Sequence, residues 1–199
     1  MSKISFTQNI DHTFADDKIL EQIRTGNTDA FELIYERYHQ QLYRYIWTFL
    51  NFNTDEAGLV LSDVFIKTYT YIQKNKVDTL KSFLYRTAHN AAVDWIRTNQ
   101  HQENIFPRDT QKYIDMDDQD QKQKLNTEHK QALIKQYLSQ LDDTYRSVLY
   151  LIYYENKSYD EIALIQKSNK NSIGTLVFQA KKKLEGLMTA DGIDPTIFF

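Results

Sequence analysis

Five histidines offer the first prospect of chemistry: His12, His39, His89, His101 and His129. They are scattered, and no two stand in a metal-binding i, i+4 arrangement such as H-E-x-x-H. There is no cysteine, which excludes a disulfide framework, thiolate zinc sites and cysteine catalysis. No glycine-rich phosphate loop occurs, and no serine lies in a nucleophile-elbow context. Carboxylates are plentiful but fall mainly on the polar faces of helical patterns. The chain therefore reads as a protein that binds rather than catalyses, with no cofactor and no metal.

The basic side chains carry more. From Lys167 to Leu184 there are five lysines (Lys167, Lys170, Lys181, Lys182, Lys183) and no acid, in a chain of formal net charge −3. The surrounding pattern is a short helix, a three-residue polar turn (Lys167-Ser168-Asn169) and a longer helix. That is the layout of a helix-turn-helix, whose second helix enters the DNA major groove. The apolar stripe of the second helix buries Ile173, Leu176, Val177, Ala180, Leu184 and Leu187. Its outward side is then Lys170, Asn171, Ser172, Gly174, Thr175, Phe178, Gln179 and Lys182. Asn and Gln pair with adenine edges, and Ser and Thr reach bases or phosphates. Spacing alone fits a helical hairpin with a solvated, lysine-rich end equally well.

A second local excess lies upstream. Residues 65–98 hold Lys67, Lys74, Lys76, Lys81, Arg86 and Arg97 against Asp78 and Asp94. Phe65, Tyr69, Tyr71, Phe83, Tyr85 and Trp95 are interleaved with them. Cations beside aromatic platforms suit single-stranded or distorted nucleic acid, because every base has a π face to stack on. Phe65, Phe83 and Trp95 lie on the buried stripe and read as core. Tyr69 and Tyr85 read as exposed.

The elements that must position these groups are helices. Gly (5) and Pro (2) are few for 199 residues, about a third of the ~12% combined usage of an average protein. An all-β fold needs a tight turn every few residues. Residues 1–15 show no periodicity and read as loose. A short helix is predicted over Asp16 to Thr25, stopped by Gly26, with Asn27 or Thr28 capping the next. That next helix places Phe31, Ile34, Tyr35, Tyr38, Leu42, Tyr45, Ile46 and Phe49 on one face. A third, from near Thr54, carries Ala57, Val60, Leu61, Val64, Phe65, Tyr71 and Ile72 inward. A fourth, from about Thr79 to Thr98, turns Leu80, Phe83, Leu84, Ala88, Ala91 and Trp95 inward. Residues 16–98 thus form one predicted helical domain.

Residues 99–127 hold six Gln, six acidic and four basic side chains and one Pro. Such a segment cannot bury enough apolar surface to fold alone and reads as a flexible acidic linker. Periodicity returns over 128–188: Leu133 to Leu141, then a helix capped by Asp142 or Asp143, then the capping box Ser158-Tyr159-Asp160-Glu161 that opens the helix-turn-helix. The tail, 189–199, is expected to dock on the body. The fold class is all-α, two small helical domains joined by the linker. No apolar run approaches the ~20 residues needed to span a bilayer, so a soluble, cytoplasmic chain without membrane insertion is expected.

At this point the residues resemble a known family. Asp29-Ala30-Phe31-Glu32-Leu33-Ile34-Tyr35-Glu36-Arg37-Tyr38 is similar to the opening of the second conserved region of sigma-70-type RNA polymerase sigma factors. Phe83-Leu84-Tyr85-Arg86-Thr87-Ala88-His89-Asn90, with Asp94, Ile96 and Arg97, resembles a pattern of the extracytoplasmic-function (ECF) group. Leu141 to Leu149 and Ser158 to Ala163 resemble the family's fourth conserved region.

The resemblance implies a transcription-initiation factor that binds core RNA polymerase and brings it to promoter DNA, with an anti-sigma factor as a further partner. It implies polymerase contacts at Glu56, Leu59 and Asp63. It implies that Lys74, Lys76, Lys81, Tyr85, Arg86, His89, Asn90 and Arg97 engage the promoter element near the start site. Lys170, Asn171, Ser172, Thr175, Phe178, Gln179 and Lys182 would read the distant one. The polymerase-binding stretch departs from the family at Gly58, Leu59 and Ser62, and the recognition helix departs at Gly174 and Leu176. Two other readings stand beside this one: a stand-alone helix-turn-helix regulator, and a sigma-like interaction protein without promoter activity.

Overall fold

Asp16 and Asp17 place acidic charge in the first turn of the first helix, α1 (Asp16–Arg24), where the helix dipole favours it. Gly26 ends the segment at φ 98°, a left-handed conformation that costs a glycine little. The computed structural model describes residues 15–99 and 132–198. The predicted loose N-terminus up to residue 14 and almost all of the predicted linker lie outside these residues.

α1 lies against α2 (Ala30–Phe49). Asp16 pins the pair, accepting from Arg37 at 2.6 Å and from the Tyr38 hydroxyl. Ile34, Tyr38, Leu42, Tyr45, Ile46 and Phe49 are buried as the spacing predicts, joined by Ala30 and Leu33. Tyr35, expected inside, is exposed, and Phe31 is only half-buried. The N-cap is Asp29, not Asn27 or Thr28, and its side chain makes no cap bond.

Asn51 and Phe52 both take positive φ (53° and 65°) and turn the chain into α3 (Thr54–Ile72). Asn53 caps that helix by accepting from the Glu56 N–H at 3.1 Å. Ala57, Val60, Leu61, Val64, Phe65, Thr68 and Ile72 face the core. Tyr71 does not: it is exposed and stacks on Phe83 at 4.8 Å between centroids. α4 (Leu80–Asn99) completes this half and buries Leu80, Leu84, Tyr85, Ala88, Ala91 and Ala92. Phe83 and Trp95, read as core, are partly buried at its margin.

The second half begins with a helix over residues 132–139, α5. Then come α6 (Asp143–Tyr153), α7 (Tyr159–Ile165), α8 (Lys170–Ala190) and a 3-10 turn (Pro195–Ile197). α6 and α7 both pack on α8. The tail docks on the body. Tyr137 donates to Asp191 at 2.8 Å, and Phe198 meets the Tyr153 ring edge-on at 5.5 Å.

The two halves share one core among the described residues. α2 packs against α6, and α4 packs against α7. Tyr45, from the first half, lies 5.9 Å from Tyr150 of the second, centroid to centroid. Lys135 of α5 sits over the Trp47 ring at 4.9 Å and the Phe52 ring at 5.2 Å. Each fully buried Leu or Ile in such a core contributes about 1.5–3 kcal/mol.

Candidate nucleic-acid interface

The helix-turn-helix is built from local rules. Ser158 accepts from the Glu161 N–H at 3.3 Å, and the Glu161 carboxylate accepts from the Ser158 N–H at 2.9 Å, closing the predicted capping box. The Ser158 N–H, with Lys157 nearby, holds the Glu161 carboxyl at about 2, well below its usual range. Lys167 makes the turn at φ 51°, and Asn169 caps α8 by accepting from the Ser172 N–H at 2.9 Å. Ile162, Ala163 and Ile165 of α7 and Ile173, Val177, Ala180 and Leu184 of α8 are buried.

The buried stripe leaves the predicted reading residues outward. Lys170, Asn171, Ser172, Thr175, Phe178, Gln179 and Lys182 are all exposed on α8. Phe178, at 68% exposure, is the most open large apolar side chain among the described residues. Lys170 pairs with Asp160 at 2.7 Å, which fastens the head of the reading helix to α7. Tyr145 donates to Gln179 Oε1 at 3.3 Å. Lys183 pairs with Asp142 at 2.6 Å. Gly174, placed outward by the sequence reading, is half-covered by the Tyr159 ring at 3.7 Å from where a Cβ would stand.

The α4 set divides. Lys74 and Lys76 are exposed in the turn before α4, and Arg97 is exposed near its end, paired with Asp94 at 3.1 Å. Lys81, Arg86 and Asn90 are half-buried, with the Arg86 guanidinium 5.6 Å above the Phe83 ring.

Tyr85, predicted to be exposed, is fully buried. Its hydroxyl donates to Glu155 of the other half, and Lys157 lies 5.2 Å over its ring. Burial and the Glu155 bond push its pKa up. His89 is half-buried, with Nδ1 2.9 Å from the Tyr45 hydroxyl and its ring edge-on to Phe49 at 5.3 Å. Burial lowers its pKa to about 4, so it is neutral at pH 7 and brings no charge to a phosphate. Tyr69, the other expected exposed ring, is half-buried against Phe31 at 5.0 Å.

α3 presents a third surface. Glu56 is half-buried; Leu59 is 60% exposed; Asp63 pairs with Lys67 at 2.6 Å. Ile66, at 67% exposure, extends this face and was missed in the sequence. Its signal was there: it stands seven residues after Leu59, two helical turns along one side. Among the described residues no group of His, Asp and Glu is placed to hold a metal ion, and no helix is long and apolar enough to cross a membrane.

Comparison with known proteins places the chain in a family. The family description "Sigma-70 region 2" matches residues 34–102, and "Sigma-70, region 4" matches residues 131–184. The ECF RNA polymerase sigma factor SigM of Bacillus subtilis (strain 168) is 26% identical over 156 residues, covering 77% of this chain and 92% of its own. The RNA polymerase sigma-H factor of Pseudomonas aeruginosa is 22% identical over 178 residues, covering 85% and 92%.

Two solved structures share the fold. CnrH, in complex with the cytosolic domain of CnrY, superposes with TM-score 0.66 at 21% identity, covering 89% of this chain and 99% of CnrH. The sigma factor RpoE, in complex with the anti-sigma factor NepR from Bartonella quintana, gives 0.63 at 19% identity, covering 81% and 98%. Two regional matches in the family's order, on a helical fold that its solved members share, make this chain an RNA polymerase sigma factor of the sigma-70 family, in the extracytoplasmic-function group.

Proposed function

We propose that this chain directs core RNA polymerase to promoters through three faces. The outward face of α3 (exposed Leu59 and Ile66 with half-buried Asp63, and Glu56 at its edge) docks on the polymerase. The cationic turn and α4 (Lys74, Lys76, Lys81, Arg86, Asn90 and Arg97) meet the promoter element near the start site. α8 reads the distant element with Asn171, Ser172, Thr175 and Gln179, while Lys170 and Lys182 meet phosphates. The observation that carries this reading is the uniform exposure of the seven predicted α8 residues behind a capped helix-turn-helix.

The charge supports dependence on polymerase. A chain of net charge −3 neutralises few phosphates and binds duplex weakly by itself. Held on the polymerase, its second DNA contact becomes intramolecular and gains affinity without new bonds. The chain acts by binding rather than catalysis, in the cytoplasm where the polymerase works. An anti-sigma protein is a further partner, as the sigma factor RpoE, of the same fold, was solved in complex with the anti-sigma factor NepR.

Run-off transcription with purified chain, core polymerase and a genomic promoter pool tests the proposal. Initiation at a defined promoter subset is expected, with no tight sequence-specific gel shift from the chain alone. A tight shift without polymerase would favour a stand-alone regulator. Silence on every promoter would overturn promoter direction.

A further inference from the structure

We propose that Tyr145 is a positioning residue for promoter reading: it fixes the Gln179 amide so that α8 offers a hydrogen-bond donor to one base of the distant element, which is chosen for its acceptors. This rests on the reading of α8 given above. Among the described residues, Gln179 is the one member of the set Asn171, Ser172, Thr175 and Gln179 whose side chain is bonded to another element. The Tyr145 hydroxyl of α6 donates to its Oε1 at 3.3 Å. The Thr175 hydroxyl, by contrast, donates to the Asn171 carbonyl of its own helix at 3.1 Å. Tyr145 and Gln179 are 34 positions apart, and they meet because α6 packs on α8.

Tyr145 is itself held. It is half-buried against the core, and the Lys183 ammonium lies over its ring at 5.3 Å, a cation–π contact. Lys183 is fastened in turn to Asp142 at 2.6 Å. Asp142 is the N-cap residue of α6, yet its side chain makes no cap bond; it serves Lys183 instead. Beneath them the first turn of α6 is anchored by Arg146, 2% exposed, which donates to the Leu138 and Leu141 carbonyls at 2.9 and 2.6 Å. The same guanidinium caps the C-terminal end of α2, donating to the Thr48 carbonyl at 3.3 Å and the Phe49 carbonyl at 3.1 Å. A reading group supported in this way keeps one orientation.

The two ends of a glutamine amide are told apart by their partners. Lys183 follows Gln179 by four positions on α8, so the two are neighbours on one face. A positive charge on that side draws Oε1 toward Tyr145 and turns Nε2 toward the groove. Nε2 takes no partner among the described residues. In the major groove guanine presents two acceptors, N7 and O6, whereas adenine sets its N6 amino donor beside the N7 acceptor. A glutamine with both ends free pairs with adenine through both. One whose oxygen is turned to Tyr145 meets the adenine amino group with its own donor and leaves that group unpaired. Guanine is therefore favoured over adenine at this base.

Tyr145→Phe keeps the ring and its contact with Lys183 and removes only the hydroxyl. Promoter sequences selected by polymerase carrying the parent chain, Gln179→Ala or Tyr145→Phe read the effect. The position where Gln179→Ala loses its preference is the one Gln179 contacts. There the parent should favour guanine over adenine. Tyr145→Phe should lower that ratio about two- to tenfold, the worth of one hydrogen bond, with every other position unchanged. Adding Tyr145→Phe to Gln179→Ala should change nothing further. In the free full-length chain, nitrogen-15 relaxation should find the Gln179 side-chain amide ordered in the parent and mobile on the picosecond–nanosecond scale in Tyr145→Phe.

Adenine favoured by the parent at that position overturns the proposal, as does an unchanged ratio in Tyr145→Phe. So does a Gln179→Ala chain that keeps every preference. An even loss across all positions marks a merely structural tyrosine and overturns it too, as does an amide equally mobile in both chains. If Tyr145→Phe loses helix content by circular dichroism, Lys183→Met, which removes the cation that sets the amide's polarity, takes its place with the same expected direction. No sequence preference with any chain, alongside an amide ordered by Tyr145, supports the positioning and overturns the promoter reading instead.

Discussion

His89 is neutral at pH 7 because burial beside Tyr45 and Phe49 lowers its pKa to about 4. In the unfolded chain it titrates near 6.5. Between those values the unfolded state holds the extra proton, so stability falls as the pH falls through that window and levels off below about pH 4. The expected loss is on the order of 2–3 kcal/mol. Urea melts at pH 7 and pH 4 check it, with His89→Gln losing less over the same step.

On α8, Gln179 is oriented by Tyr145 and stands on the exposed side with Asn171. Replacing either with Ala should cost ~1–3 kcal/mol of preference at one base pair of the distant element. Selection of bound sequences by the polymerase-held variants reads this directly. These α8 residues were legible in the sequence because a buried stripe on an isolated helix fixes its outward side. Tyr85 was not, because what covers it is a residue 70 positions away.

At the scale of the element, α3 carries two stripes rather than one. The buried stripe was readable from spacing, and the outward line through Leu59, Asp63 and Ile66 lies between its positions. Tyr71 was assigned inward on the same periodicity and instead stacks on Phe83, since an aromatic ring at a helix end can lie along a neighbour's rim. Charge reversal at Asp63 should weaken polymerase pull-down about tenfold or more while circular dichroism stays unchanged. An intact pull-down would remove Asp63 from the interface.

Gly174, inside α8, gives an opposite kind of prediction. A methyl there would meet the Tyr159 ring at 3.7 Å, an ordinary contact. Gly174→Ala should therefore stabilise by about 0.5–1 kcal/mol through helix propensity. A lowered thermal midpoint would show that Tyr159 cannot accommodate it.

At the scale of the molecule, the shared core makes the halves one cooperative unit. Removing Arg146 strips the partner from carbonyls of Thr48, Phe49, Leu138 and Leu141 at once. Arg146→Ala should destabilise by about 3–5 kcal/mol. Denaturant unfolding should show one transition in the parent chain and an earlier one in the variant. Two well-separated transitions in the parent would contradict the shared core. The number and type of helices were legible because few glycines and prolines interrupt long 3.6-residue patterns. The junction was not, since periodicity says which side of a helix is apolar but not which distant helix will cover it. Arg146 itself lay in a segment quoted for its resemblance, yet nothing in its neighbours foretold a buried guanidinium.

The cap on α2 has a temporal consequence. Phe49 and Arg146 are 97 residues apart, and ribosomes add about 5–20 residues per second. The nascent amino-terminal bundle therefore waits roughly 5–20 seconds with the end of its second helix unterminated and Tyr85 uncovered. The arginine that caps α2 is therefore made well after the helix it serves, and helix and cap come together only after that interval.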